Sequence, residues 1–146
     1  MKKTYLLDTN IVSEFSKERP DEQVIELYGL RSDLCAVSSI TWQELTRGVE
    51  RMPEGRRKQY IQGCIKDFEE SFEVIPYDKF SAQLCGEMQA KAEKEGKPLP
   101  FYDSQIAATA ISNGMVLVTH NTADFAHLRE NCFLRMEDWF SESRAG

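Results

Sequence analysis

Short apolar runs alternate with longer amphipathic stretches along this chain, and that order restricts the fold more than any other feature. Tyr5-Leu6-Leu7, Leu34-Cys35-Ala36-Val37, Val74-Ile75 and the stretch 115–119 read as strands. Helical spacing fills the gaps at 11–15, 21–30, 40–52, 56–72, 80–92 and 103–113, with Gly114 as the stop to the last of these. Within 40–52, Trp42, Leu45, Val49 and Met52 share one face. Cys132-Phe133-Leu134 reads as a final edge strand ahead of Trp139-Phe140. Strand–helix–strand order favours parallel pairing, because a parallel neighbour needs a long crossover. The expectation is an α/β fold: one parallel sheet of about five strands flanked by helices, in a single domain over residues 1–146.

Several function classes fall away on composition. No apolar run approaches bilayer length, so no membrane role is expected. MKKTYLLDTN has too short an apolar stretch for a signal peptide, which makes a cytoplasmic location the expectation. Cys35, Cys64, Cys85 and Cys132 lack zinc-type spacing, and Cys35 and Cys132 read as small buried residues. No P-loop, dinucleotide fingerprint or Gly-x-Ser-x-Gly elbow is present. The net charge of −6 rules out attraction of nucleic acid over the whole surface. Contact with RNA would have to be local.

Chemistry concentrates in four acids: Asp8, Glu44, Asp103 and Asp124. In an open parallel sheet, ligands bind at the carboxyl ends of the strands. Asp8 follows the first strand, Glu44 lies a turn into the helix after the second, and Asn121 and Asp124 follow the stretch 115–119. Asp103 opens a helix whose alanines permit close packing on the sheet. Each acid has a plainer reading. Asp8 and Asp103 suit helix N-termini, Thr41-x-x-Glu44 matches a capping box, and Asp124 could cap a turn. Capping does not require all four to share one edge. Gathered at about 4 Å, such charges repel by roughly 4 kcal/mol per pair at an effective dielectric of about 20. A divalent ion would relieve that repulsion, and oxygen-only ligands favour Mg²⁺ or Mn²⁺. Hydrolysis of a phosphodiester is the leading use of such a centre. Arg47 and Arg51 follow Glu44 on about the same face and could hold RNA phosphates, or instead an acidic tail of a partner. His120 reads as an exposed histidine, with RNA contact as the less favoured alternative. Phe15, Tyr28, Trp42 and Tyr60 exceed the needs of one small core, so some could line a partner groove or dimer face.

In order and spacing, LLDTNIVSE, SSITWQELTRGVE and FYDSQIAATAISNGMVLVTHNTADF resemble the PIN-domain family, and within it the VapC-type toxins. The resemblance covers nearly the whole chain. It implies a three-layer α/β/α fold and a Mg²⁺- or Mn²⁺-dependent endoribonuclease that cuts structured RNA, often transfer RNA, with initiator transfer RNA one candidate. It implies a VapB-type antitoxin as partner and contact with operator DNA only through that antitoxin; a homodimer is expected from the surplus apolar residues of the early helices. Carried over by position, Asp8 and Asp103 are the metal ligands, and Glu44 and Asp124 complete the catalytic acids. Thr9, Asn10, Asn121 and Arg47 are assigned to positioning. Many PIN domains carry an acid where this chain has Asn121, with Asp124 three residues later.

Two rivals remain at this stage. Asp8 could be the nucleophile of a phosphatase, although the usual Asp-x-Asp is broken by Asn10. Alternatively, the chain could be a non-catalytic RNA- or protein-binding module.

Overall fold

The computed structural model describes residues 2–131 and 133–142. Five strands, β1 (Tyr5–Leu7), β2 (Cys35–Ser38), β3 (Glu73–Ile75), β4 (Val116–Val118) and β5 (Met136–Glu137), form one sheet in the order β3-β2-β1-β4-β5. Every pairing is parallel, with Leu7 level with Val118. The helices are α1 (Thr9–Glu14), α2 (Glu22–Arg31), α3 (Ser39–Glu50), α4 (Arg56–Ser71), α5 (Lys79–Lys94), α6 (Phe101–Ser112) and α7 (Ala126–Asn131).

Alternation along β1 separates two cores. Leu6 packs with Ala36 and Leu117 against α5 and α6, where Cys85, Met88, Ile106 and Ala107 are buried. Leu7 packs with Val37 and Val118 on the other face, against Ile11 and Val12 of α1 and Val24 of α2. Period-2 patterning inside three- and four-residue strands therefore covers both faces with helices, giving three layers. Phe15, Tyr28, Phe68 and Phe72 form an aromatic cluster on the second face, with ring centroids 4.8–6.4 Å apart. Tyr60 is outside that cluster and exposed, and Trp42 is half-buried.

Three sequence expectations are corrected. The last strand is Met136–Glu137, not 132–134. Phe133 has φ 59°, a left-handed conformation that no strand can pass through, and Cys132 lies outside the described residues. The fifth helix, expected over 80–92, runs from Lys79 to Lys94. A 3₁₀ turn (Thr122–Phe125) then runs into a seventh helix that periodicity did not reveal.

Candidate active site

The carboxyl edge of the sheet carries the acids because β1, β2 and β4 all end there. Asp8 leaves β1 and caps α1, its Oδ1 accepting the Thr9 N–H at 2.8 Å. Its other oxygen, Oδ2, accepts from Thr119 Oγ1 at 2.8 Å and from Asn10 Nδ2 at 3.2 Å. Asp8 is 3% exposed. Burial pushes its pKa above the ordinary aspartate value and the charge of Glu44 adds to the rise, while the bonds from Thr119, Thr9 and Asn10 oppose it.

Glu44 is not a helix cap. Ser38 caps α3, accepting from the Thr41 N–H at 3.0 Å. Glu44 Oε1 instead accepts the Thr9 hydroxyl at 2.7 Å, which ties the second helical acid to the residue after the first. Thr41 Oγ1 lies 3.3 Å from the same hydroxyl.

Asp103 stands in the first turn of α6, half-buried. Burial, then the charges of Asp8 and Asp124, raise its pKa to about 6. Those electrostatic couplings join Asp8, Glu44, Asp103 and Asp124 into one cluster, although Asp124 sits exposed in its 3₁₀ turn. Among the described residues no ion pair involves any of the four. Nor do three acidic, histidine or cysteine side chains there stand close enough to grip a single ion as they are arranged. Glu44 rests on the Thr9 hydroxyl, and Asp124 is exposed to solvent.

Around this cluster, Asn10 bridges the strand ends. Its Nδ2 reaches Thr119 Oγ1 at 3.3 Å and its Oδ1 accepts the His120 N–H at 3.1 Å. The Asn121 N–H donates to Thr119 Oγ1 at 3.0 Å, and the Asn121 side chain is exposed. Arg47 is exposed on α3 and makes no ion pair with the acids. Thr119 is the residue that motif reading passed over. Its signal was there, as a hydroxyl ending the most strand-like stretch. His120 is also more than an idle surface residue. Its Nδ1 lies 3.1 Å from Asp138 Oδ2, and its ring stacks on Phe140 with centroids 3.9 Å apart.

From the cluster a groove of about 240 Å³ runs between α1, α3 and α4. Thr9 and Glu44 stand at one end, with Leu45, Met52, Ile61, Ile65 and Phe68 along it.

Comparison with known proteins agrees with this architecture. The PIN domain family model matches residues 5–131. The tRNA(fMet)-specific endonuclease VapC of Shigella flexneri is 35% identical over 92% of this chain and 97% of its own length. Toxin FitB of Neisseria gonorrhoeae is 30% identical over 82% of the chain and 89% of its own. Among solved structures, the DNA-bound VapBC complex of Salmonella typhimurium superposes with a TM-score of 0.82 at 32% identity, covering 95% of this chain and 99% of that one. The VapBC2 complex of Rickettsia felis, bound to a fragment of its promoter, gives 0.80 at 27% identity, covering 93% and 98%. On sequence and fold together, the chain belongs to the PIN-domain family, within its VapC branch.

Proposed function

We propose that this protein is a divalent-cation-dependent endoribonuclease and the toxin of a VapBC-type pair. One observation carries the reading: four carboxylates from separate segments share the carboxyl edge of the sheet, and no lysine or arginine among the described residues neutralises them. An all-oxygen donor set with unrelieved repulsion fits Mg²⁺ or Mn²⁺. Asp8 and Asp103 are the ligands, with Glu44 and Asp124 completing the acidic set. Such an ion, when bound, polarises a phosphodiester and lowers the pKa of water.

The chain's own residues supply the rest. Thr119 and Asn10 hold Asp8 in one rotamer, so the buried carboxylate is oriented before any ligand arrives. Thr9 fixes Glu44 beside it, where its free oxygen can take a proton from attacking water. Asn121 and Arg47, both exposed, are assigned to the RNA backbone. The products expected are 5′-phosphate and 3′-hydroxyl ends. By analogy with the Shigella relative, initiator transfer RNA is the substrate.

The partner is a VapB-type antitoxin, as in the solved complexes, and operator DNA is reached through it. The apolar groove leading to Glu44 is the assigned seat of its inhibitory segment. A homodimer completes the assembly. The phosphatase alternative suffers from the burial of Asp8, whose two oxygens are both engaged by donors.

Cleavage of initiator transfer RNA with Mg²⁺ or Mn²⁺ tests the reading. Wild type is expected to cut it, and Asp8→Asn and Asp103→Asn to lose at least about a hundredfold. Cleavage undiminished in both variants would sink the mechanism. Tight RNA binding without turnover would make the protein a binding module.

A further inference from the structure

His120 is held more firmly than a surface histidine needs to be. Its Nδ1 is 3.1 Å and 3.4 Å from the two oxygens of Asp138, and its ring lies at 21° to Phe140. Phe140 is itself buried, and its N–H donates to Asp138 Oδ1 at 2.9 Å, so the carboxylate and the stacking ring belong to one rigid corner. The His120 side chain remains 28% exposed, and among the described residues nothing partners its Nε2. The result is an oriented imidazole with one nitrogen fixed and the other open.

Its position ties it to the acidic cluster. Leu7 is level with Val118, so Asp8 and His120 leave adjacent strands within a residue of one another. Paired strands lie about 4.8 Å apart. The backbone N–H of His120 also bonds the same Asn10 that holds Asp8.

Chemistry then selects the ligand. An ionised carboxylate only accepts hydrogen bonds, so Asp138 places the imidazole proton on Nδ1. In the neutral ring, Nε2 is thereby an acceptor. The sugar–phosphate backbone of RNA offers one donor, the ribose 2′-hydroxyl, and DNA offers none. We infer that His120 Nε2 accepts a hydrogen bond from the 2′-hydroxyl of a nucleotide next to the cleaved bond, making the Asp138–His120–Phe140 corner a ribose-reading subsite. This rests on the ribonuclease reading above and adds to it a residue that distinguishes RNA from DNA.

The test is a walk of single 2′-deoxy substitutions through initiator transfer RNA, assembled by ligation, read as single-turnover cleavage rate. Wild type is expected to slow about tenfold at one position beside the cut, the cost of one hydrogen bond. His120→Phe keeps the stack on Phe140 but has no acceptor. It should cut all-ribose RNA about tenfold more slowly and show no further loss at that position. Asp138→Asn presents an amide donor to Nδ1, which reverses the tautomer and puts a proton on Nε2. It should show the same insensitivity, with imidazole ¹⁵N shifts reporting the reversal. Thermal denaturation confirms that both variants are folded. If the deoxy and protein losses multiply at every position, His120 is a structural clamp and the inference fails. It fails equally if neutral phosphate substitutions, rather than 2′-deoxy ones, couple to His120, or if His120→Phe cuts like wild type. Wild type that cuts no transfer RNA at all would overturn both this subsite and the nuclease reading, whereas active wild type without coupling overturns the subsite alone.

Discussion

Thr119 donates its hydroxyl hydrogen to Asp8 Oδ2 across 2.8 Å, joining residues 111 apart in the chain. Thr119 Oγ1 in turn accepts from the Asn121 N–H and from Asn10 Nδ2, so one hydroxyl organises three site residues. Thr119→Val keeps the shape but leaves Asp8 short of a donor and the Asn121 amide unpaired. A loss of 1–3 kcal/mol corresponds to about a 5- to 150-fold fall in kcat/KM, which Thr119→Ser should largely restore. An equal loss in both variants would mean that the methyl, not the hydroxyl, matters.

Asp103 gives a pH signature. Its pKa is raised from 3.8 to about 6 by burial and by the charges of Asp8 and Asp124. Between those values the folded chain binds more protons than the unfolded one, so stability falls as pH rises and then levels off. Below 3.8 the penalty is absent. In chelator, Asp103→Asn should therefore melt above wild type at pH 7, with the gap closing as pH falls. Solvent screening of a half-exposed carboxyl reduces the effect to about 1 kcal/mol, or about 2–4 °C. Adding Mn²⁺ should stabilise wild type more than the variant. A gap that does not vary with pH would contradict the assignment.

Glu44 and Ser38 separate chemistry from capping. Ser38→Ala removes the actual cap of α3 and should cost about 1 kcal/mol in urea denaturation. Glu44→Gln should change stability by no more than about 0.5 kcal/mol while sharply lowering cleavage. If Glu44→Gln unfolds the protein as readily as Ser38→Ala does, its role is structural.

Asp21 latches the end of the described chain. It accepts from the N–H groups of Gln23 and Val24 as the cap of α2, and from the N–H and hydroxyl of Ser141. Burial works against its ionisation, but the bonds from Ser141, Val24 and Gln23 prevail and hold its pKa below the usual value. Its contribution is therefore present above the unfolded pKa of 3.8 and lost as pH falls through the depressed folded value. Asp21→Ala should destabilise by about 2 kcal/mol at pH 7, and by progressively less in acid, as urea midpoints would show.

Met52 lines the apolar groove eight residues after Glu44, just past the end of α3. Met52→Glu introduces a charge where an apolar antitoxin segment is assigned. The cognate antitoxin should bind at least about tenfold more weakly in titration calorimetry, with free-toxin cleavage unchanged. Unchanged antitoxin affinity would move the partner's seat elsewhere.

Much of the fold was legible in the chain because burial on both faces of a parallel sheet forces short, wholly apolar strands. Tyr5–Leu7 and Val116–Val118 could be read for that reason. Met136–Glu137 could not, since a two-residue edge strand carries no periodicity and is held by its pairing with β4. The end of α5 was misplaced because charged, Gly-containing sequence resembles a loop even where a last helical turn is solvated.

The sequence by itself determined which residue types were available and in what order: four acids placed after strands or at helix starts, in an α/β rhythm. Only tertiary structure decided what each became. Thr41-x-x-Glu44 satisfied the local rule for a capping box, yet Ser38 took that place and Glu44 turned to Thr9, 35 residues away. His120 was one exposed histidine until β5 brought Asp138 and Phe140 against it. The physical reason is the same in both cases. Hydrogen bonds and charges act over a few ångströms in space, and the neighbours within that distance come from segments that no local pattern encodes.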